Sequence, residues 1–301
     1  MAQDGLQLFG GDWTERKLDA LNQYLCAYAK ALSRTKFNRL YIDAFAGTGY
    51  REQKVAAEFT SDIFAEELGE LSAPETQRFL DGSAKIALRV EPSFHRFIFI
   101  EDKDAKVQEL ERLKAEFPAR ASAIDIRPGD ANKTIQKICT NWDKKGTRGV
   151  LFLDPFGMQA EWETIDAVAK TGCIDTWILF PFAANRLMTK SPNDIPPAWR
   201  ARLDKLFGTP DWEQRFYKER TLVDIFDGDR RVVQKKAITL ESLGAFYGQR
   251  LQTVFPVVAP NPRVLSSEDN RPLFQLFFAA ANPGKGGAIA LKIAKHILDI
   301  I

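Results

Sequence analysis

The sequence predicts an α/β fold: a doubly wound, mostly parallel sheet of seven strands, with helices on both faces and one mainly helical insertion. Three observations carry the prediction. Short, nearly continuous apolar runs such as Phe97–Ile100, Val150–Leu153 and Thr176–Phe180 alternate with segments of helical periodicity. That is the pattern of strands covered on both faces by crossover helices. The first such run, Arg39–Phe45, ends in a glycine turn, Ala46-Gly-Thr-Gly49, the usual opening of a Rossmann-like unit. Apolar residues make up 45% of the 301 residues, enough to build the core such a sheet needs.

Taken in order, Leu18, Leu21, Leu25, Tyr28 and Leu32 recur at helical spacing and predict a helix over Thr14–Leu32, with Thr14 as its N-cap. After the first strand and its turn, residues 51–81 are polar and rich in Glu, long for a connection of this kind. They form either a surface excursion or a lid over the ligand site. A helix follows over Ser83–Val90. Regular alternation then gives a strand at Phe97–Ile100, a helix at Asp104–Glu116, a strand at Ala123–Ile126 and a helix at Ala131–Asn141. It continues with a strand at Gly149–Leu153, a helix at Trp162–Ala169 and a strand at Thr176–Phe180. Residues 184–236, with their Ser191-Pro-Asn-Asp-Ile-Pro-Pro197 stretch, break the rhythm and read as the helical insertion. A helix at Leu240–Val254, strands at Val257–Leu265 and Leu273–Ala280 and a helix at Gly287–Leu298 close the chain. The core is therefore 1–183 with 237–301, carrying the loop or lid at 51–81.

Composition excludes several classes. Lys plus Arg is 42 and Asp plus Glu is 40, so net charge alone identifies no polyanionic partner. Three scattered cysteines lack metal-ligand or redox spacing, which suits a reducing cytoplasmic location. Two histidines make a His-based triad or a multi-His centre improbable, and no metal is expected. No basic-then-apolar leader opens the sequence, and no window of about 18 apolar residues predicts a membrane span.

Four polar sites fall at the ends of four successive strands, where open parallel sheets bind ligands. The first is Asp43-Ala-Phe-Ala-Gly-Thr-Gly49. Its glycines permit close backbone approach and Asp43 can anchor an ammonium, while the Lys-Ser/Thr of a phosphate loop is missing. S-adenosyl-L-methionine, with an amino acid tail and no phosphates, suits Asp43, Phe45, Ala46, Gly47, Thr48 and Gly49. A bare strand-to-helix turn is the alternative. The second is Glu101 with Asp102: an acid here accepts from both ribose hydroxyls or caps the next helix. The third is Asp130 with Ala131, which meet an adenine amine and ring, or serve as a helix N-cap and first residue. The fourth is Asp154-Pro-Phe-Gly157. Asp154 or the Pro155 carbonyl accepts from an exocyclic amine, Phe156 offers a stacking face worth roughly 1–3 kcal/mol, and Gly157 leaves room for the acceptor.

These four segments resemble motifs one to four of class I methyltransferases, and Asp154-Pro155-Phe156-Gly157 is similar to the amino-methyltransferase motif Asp/Asn-Pro-Pro-Tyr/Phe. It departs from that motif in having Phe156 at the second proline and Gly157 at the aromatic. It is closer to the version in tRNA guanine N2-dimethyltransferases. Lys17-Leu18 with Tyr24-Leu25, Tyr41–Gly49, Gly82-Ser-Ala with Ile86-Ala-Leu88, Phe99-Ile-Glu101, Asp154–Gly157 and Phe180-Pro181 with Asn185-Arg186 together resemble the three-Cys-motif partner family. The resemblance implies the class I fold, S-adenosyl-L-methionine as cofactor with S-adenosyl-L-homocysteine as product, and a separately encoded three-Cys-motif protein as partner. Its catalytic set would be Asp154, Pro155, Phe156 and Gly157.

The function expected is N-methylation of an exocyclic amine of a nucleobase in DNA or RNA. The insertion carries 12 Lys or Arg against 8 Asp or Glu, a charge of +4 where the rest of the chain is −2, interleaved with Trp199, Trp212, Phe216 and Tyr217. Basic and aromatic residues together suit nucleic acid, although aromatics in a small insertion also form its core. Asn185, Arg186, Arg230 and Arg231 are its candidate substrate-binding residues. A methyltransferase acting on a small molecule or a protein, and a non-catalytic cofactor-binding or scaffold subunit, remain as alternatives.

Overall fold

A computed structural model describes residues 12–46, 82–155, 157–223, 230–267 and 269–301. Residues 51–81, read above as a loop or lid, lie outside the described residues, as do Gly47, Thr48, Gly49 and Phe156.

Five parallel strands form the centre: β1 (Asn38–Asp43), β2 (Arg96–Glu101), β3 (Ile124–Pro128), β4 (Thr147–Leu153) and β5 (Ile174–Pro181). Their order across the sheet is β3-β2-β1-β4-β5. The chain winds outward from β1 in one direction, then returns to β4 and winds in the other, so the switch point lies between β1 and β4. Beyond β5 lies β10 (Pro272–Ala280), antiparallel, and beyond it β8 (Val257–Val258). This is the doubly wound class I methyltransferase fold. Its last edge strand is broken. The run expected at Val257–Leu265 divides into β8 and β9 (Arg263–Ser266), both paired to the same edge of β10, giving an eighth short strand. Pro260 and Pro262 stand at the break and cannot donate to a ladder.

Strand alternation divides the core into two faces. Leu40, Ile42, Ile98, Ile100, Leu151 and Leu153 face one way, beneath α4 (Ala131–Thr140), α5 (Trp162–Thr171) and α9 (Leu240–Gln252). Tyr41, Phe97, Phe99, Val150 and Phe152 face the other, beneath α1 (Asp12–Leu32), α2 (82–89), α3 (Asp104–Glu116) and α10 (Lys285–Ile300). The second face is aromatic: Tyr24 lies 5.4 Å from Trp177 and 5.0 Å from Phe278 between ring centroids. Helix α1 begins at Asp12, so Thr14 is a buried residue of its first turn and not its cap. Helix α9 starts on a capping box in which Thr239 and Ser242 bond reciprocally.

The insertion is helical in its first part, with α6 (Ala184–Leu187), α7 (Pro197–Phe207) and α8 (Trp212–Phe216). It then departs from the helical expectation. β6 (Tyr217–Val223) and β7 (Arg230–Lys236) pair antiparallel as a separate ribbon. The β-branched residues of Thr221-Leu-Val223 and Val232-Val233, with Asp227-Gly228 between them, are a hairpin signal that outweighs the charged residues around it.

Candidate active site

A cavity of about 410 Å³ opens over the carboxyl ends of β1, β2 and β3. That size falls among small-molecule sites. Of the sequence-predicted residues, Phe45, Glu101, Asp102, Asp130 and Ala131 line it. Its remaining walls include Met158 and Gln159, from the segment after β4, and Arg202 and Lys205 from helix α7 of the insertion.

Glu101 closes β2 and is 1% exposed. One carboxylate oxygen, Oε1, accepts from the Lys103 amide at 2.9 Å. The other, Oε2, is buried with no hydrogen-bond partner among the described residues. Burial, reinforced by Asp102 beside it, raises the pKa from 4.5 to about 7. Helix α3 takes Lys103 as its N-cap without a side-chain bond, so Glu101 is not spent as a cap. Asp130 does cap: its Oδ1 accepts from the Lys133 amide at 2.8 Å, opening α4. Capping and a place on the cavity wall hold together for this residue.

Asp43 and Asp154 are buried and belong to a cluster that the sequence reading missed. Lys17, on the apolar face of α1, sends its ammonium under the sheet ends to Asp154 Oδ2 at 2.7 Å, with its side chain fully buried. The rings of Trp13 and Phe152 flank Nζ at 5.3 and 5.7 Å. Asp43 accepts from Tyr41 Oη at 3.2 Å and from the Ser83 side chain. Burial raises the pKa of Asp43 to about 7, with the Asp154 charge adding to it. Burial lowers Lys17 to about 8 and raises Asp154, in each case against the pull of their mutual ion pair. A lysine between Trp13 and Leu21 at four-residue spacing in an apolar stripe was the available signal.

Asn132 is the second missed residue. Its Nδ2 donates to the Gln159 carbonyl at 2.8 Å, while its Oδ1 accepts from the Glu161 amide at 3.0 Å and Thr164 Oγ1 at 2.8 Å. One buried side chain thus fixes the start of α4 to the segment that follows the Asp154 motif. Pro155 is buried, and Gly157 sits at φ +69°, a left-handed conformation that explains glycine there independently of any room for an acceptor.

The insertion's aromatics are largely its core: Trp212, Phe216 and Tyr217 are buried and Trp199 packs on the main cluster. Its cations are partly engaged. Arg200 pairs with Glu213, Lys205 pairs with Glu161 at 2.7 Å, and Lys236 donates to the Asn185 and Met188 carbonyls, each at 2.6 Å. Asn185 and Arg186 are half-buried, away from the residues that line the cavity. Arg230 and Arg231 lie on β7, paired with Val223 and Leu222. Among the described residues no cluster of three His, Cys, Asp or Glu could hold a metal ion, and no helix is long and apolar enough to cross a membrane.

No family model matches the chain, and no curated protein matches it. Among solved structures it is similar to protein LPL1258 from Legionella pneumophila, at 10% identity over 93% of this chain and 91% of that one, TM-score 0.43. It is similar to the putative methyltransferase yhhF from Escherichia coli at 16% identity over 72% and 87%, TM-score 0.28. Spermidine synthase in complex with the transition-state analogue AdoDATO aligns at 10% identity over 94% of this chain and 64% of that one, TM-score 0.40. At these values the likenesses carry no functional argument, which rests on the site itself.

Proposed function

We propose that this chain is an S-adenosyl-L-methionine-dependent methyltransferase, and that its acceptor is an exocyclic amine of a nucleobase in DNA or RNA. The observation that carries the cofactor is the buried, unpartnered Oε2 of Glu101 on the wall of a cavity at the switch point. An uncompensated carboxylate oxygen costs free energy unless a ligand donates to it, and a ribose diol does so. Asp130 and Ala131 line the same cavity and suit an adenine; Asp43 provides a buried anion for the ammonium tail. When bound, the cofactor supplies an electrophilic methyl group on a sulfonium. The chain's part is proximity and orientation, worth up to about 7–11 kcal/mol when well aligned. Asp154 and the Pro155 carbonyl would accept from the acceptor amine and aim its lone pair.

Calorimetric titration with S-adenosyl-L-methionine and S-adenosyl-L-homocysteine tests the cofactor. Micromolar binding lost in Asp43→Ala or Glu101→Ala is expected; no binding of either ligand would move the weight to a scaffold subunit working with a separately encoded three-Cys-motif protein. Replacing Arg230 and Arg231 together should weaken nucleic-acid binding and flatten its salt dependence. A small-molecule acceptor is the second reading, favoured by the burial of the insertion's aromatics and by the placement of α7 as a cavity wall. Unchanged binding to every nucleic acid tested in the double variant would select it.

A further inference from the structure

We infer that Lys17 sets the charge which the site presents to its ligand, so that the site discriminates a cationic cofactor from its neutral product. The inference rests on the cofactor reading above. Three charged groups from three separate elements meet out of solvent: Lys17 of α1, Asp43 at the end of β1 and Asp154 at the end of β4. The pairing is unequal. Lys17 bonds Asp154 Oδ2 at 2.7 Å, while Asp43 is held by two neutral donors, the Tyr41 hydroxyl and the Ser83 side chain. With all three ionised the cluster carries one negative charge in excess. Two carboxylates without the lysine would bind any cation tightly, and neither would release it readily. One carboxylate fully matched by the lysine would not favour a cation at all. The uneven count leaves a single anion for a sulfonium or ammonium, and that attraction is absent once the sulfur is neutral.

Geometry also makes Lys17 a positioning residue. By taking Oδ2 it fixes the Asp154 carboxylate in one orientation and leaves its other oxygen and the Pro155 carbonyl as the acceptors the site can offer an amine. The groups facing Asp43 are Lys17, Tyr41, Ser83 and Asp154, and its protonation near neutrality removes the excess charge. Preference for the cationic ligand should therefore fall as pH drops from 7.5 to 6.

The test compares dissociation constants for S-adenosyl-L-methionine and S-adenosyl-L-homocysteine at pH 7.5 in the wild type, Lys17→Met, Lys17→Arg and Asp154→Asn. Lys17→Met should shift the ratio about tenfold toward the cationic ligand, as expected for one buried charge at several ångströms. Asp154→Asn should shift it about tenfold the other way, and Lys17→Arg should restore the wild-type ratio. A purely structural lysine would weaken both ligands alike and leave the ratio unchanged, and that result would overturn the inference. If Lys17→Met does not fold, Asp154→Asn carries the test, because it keeps the lysine. Wild type that binds neither ligand removes the cofactor reading and the inference together; wild type that binds both, with a ratio fixed across the variants, removes the inference alone.

Discussion

Replacing Glu101 by Gln separates a ligand-binding carboxylate from a structural one, because the two roles predict opposite signs. Gln keeps an oxygen to accept from the Lys103 amide and removes the charge from a residue that is 1% exposed. In the folded protein the carboxyl pKa stands at about 7 against an ordinary 4.5. At about 1.4 kcal/mol per pH unit, holding the carboxylate ionised in its buried place costs up to about 3 kcal/mol. The sign follows from the raised value: the proton stabilises the folded state fully below pH 4.5, and that stability is lost as pH rises through 7. Glu101→Gln should therefore be more stable than wild type at pH 8 by up to about 3 kcal/mol, and the difference should vanish below pH 4.5. Ligand affinity should move the other way. A hydrogen bond to a charged acceptor contributes roughly 1.5–3 kcal/mol, so S-adenosyl-L-homocysteine should bind roughly ten- to hundredfold more weakly. Urea denaturation at the two pH values and calorimetric titration read the two effects. A variant that is less stable at pH 8, or that binds within twofold of wild type, would refute the assignment.

The remaining predictions concern the supports of the site. Asn132→Ala removes three hydrogen bonds between α4 and the segment after β4 and should cost about 2–4 kcal/mol in denaturant unfolding, with weakened ligand binding. Gly208→Ala should destabilise by about 2 kcal/mol or more: φ is +66°, and an added Cβ would stand 2.0 Å from the Trp162 indole. Asp175, buried against Tyr24 Oη at 2.7 Å, has a pKa raised to about 7 by desolvation. Asp175→Asn should be more stable than wild type above pH 7 and gain nothing below about pH 4, as read by thermal melting across that range.

Much of this arrangement was legible in the sequence, for identifiable reasons. Strands buried on both faces must be apolar throughout, so β2, β4 and β5 stood out, and the helix expected at Asp104–Glu116 matches α3 end to end. The polar residues at strand ends were legible because nothing in packing calls for them, and Glu101 is now a buried acid with an oxygen to spare. Long-range partners were not legible. Lys17 and Asp154 are 137 residues apart, and periodicity marks only that a lysine occupies an apolar stripe. The insertion misled in a different way. Its aromatics and cations looked like a nucleic-acid surface, but a small subdomain must bury its own rings, and Trp212 and Phe216 do so. The β6–β7 ribbon was hidden by charged residues that alternate along strands exposed on at least one face.

The interruption between β8 and β9 bears on how the molecule behaves among its own copies. An open sheet invites another chain to lengthen it, since the outermost strand offers a continuous row of amide and carbonyl groups. Here that border is a two-residue ladder and a four-residue ladder, divided where Pro260 and Pro262 have no N–H to give. A visiting strand would lose register within a few residues. The chain keeps this flank of its sheet free from self-templated growth without a covering helix.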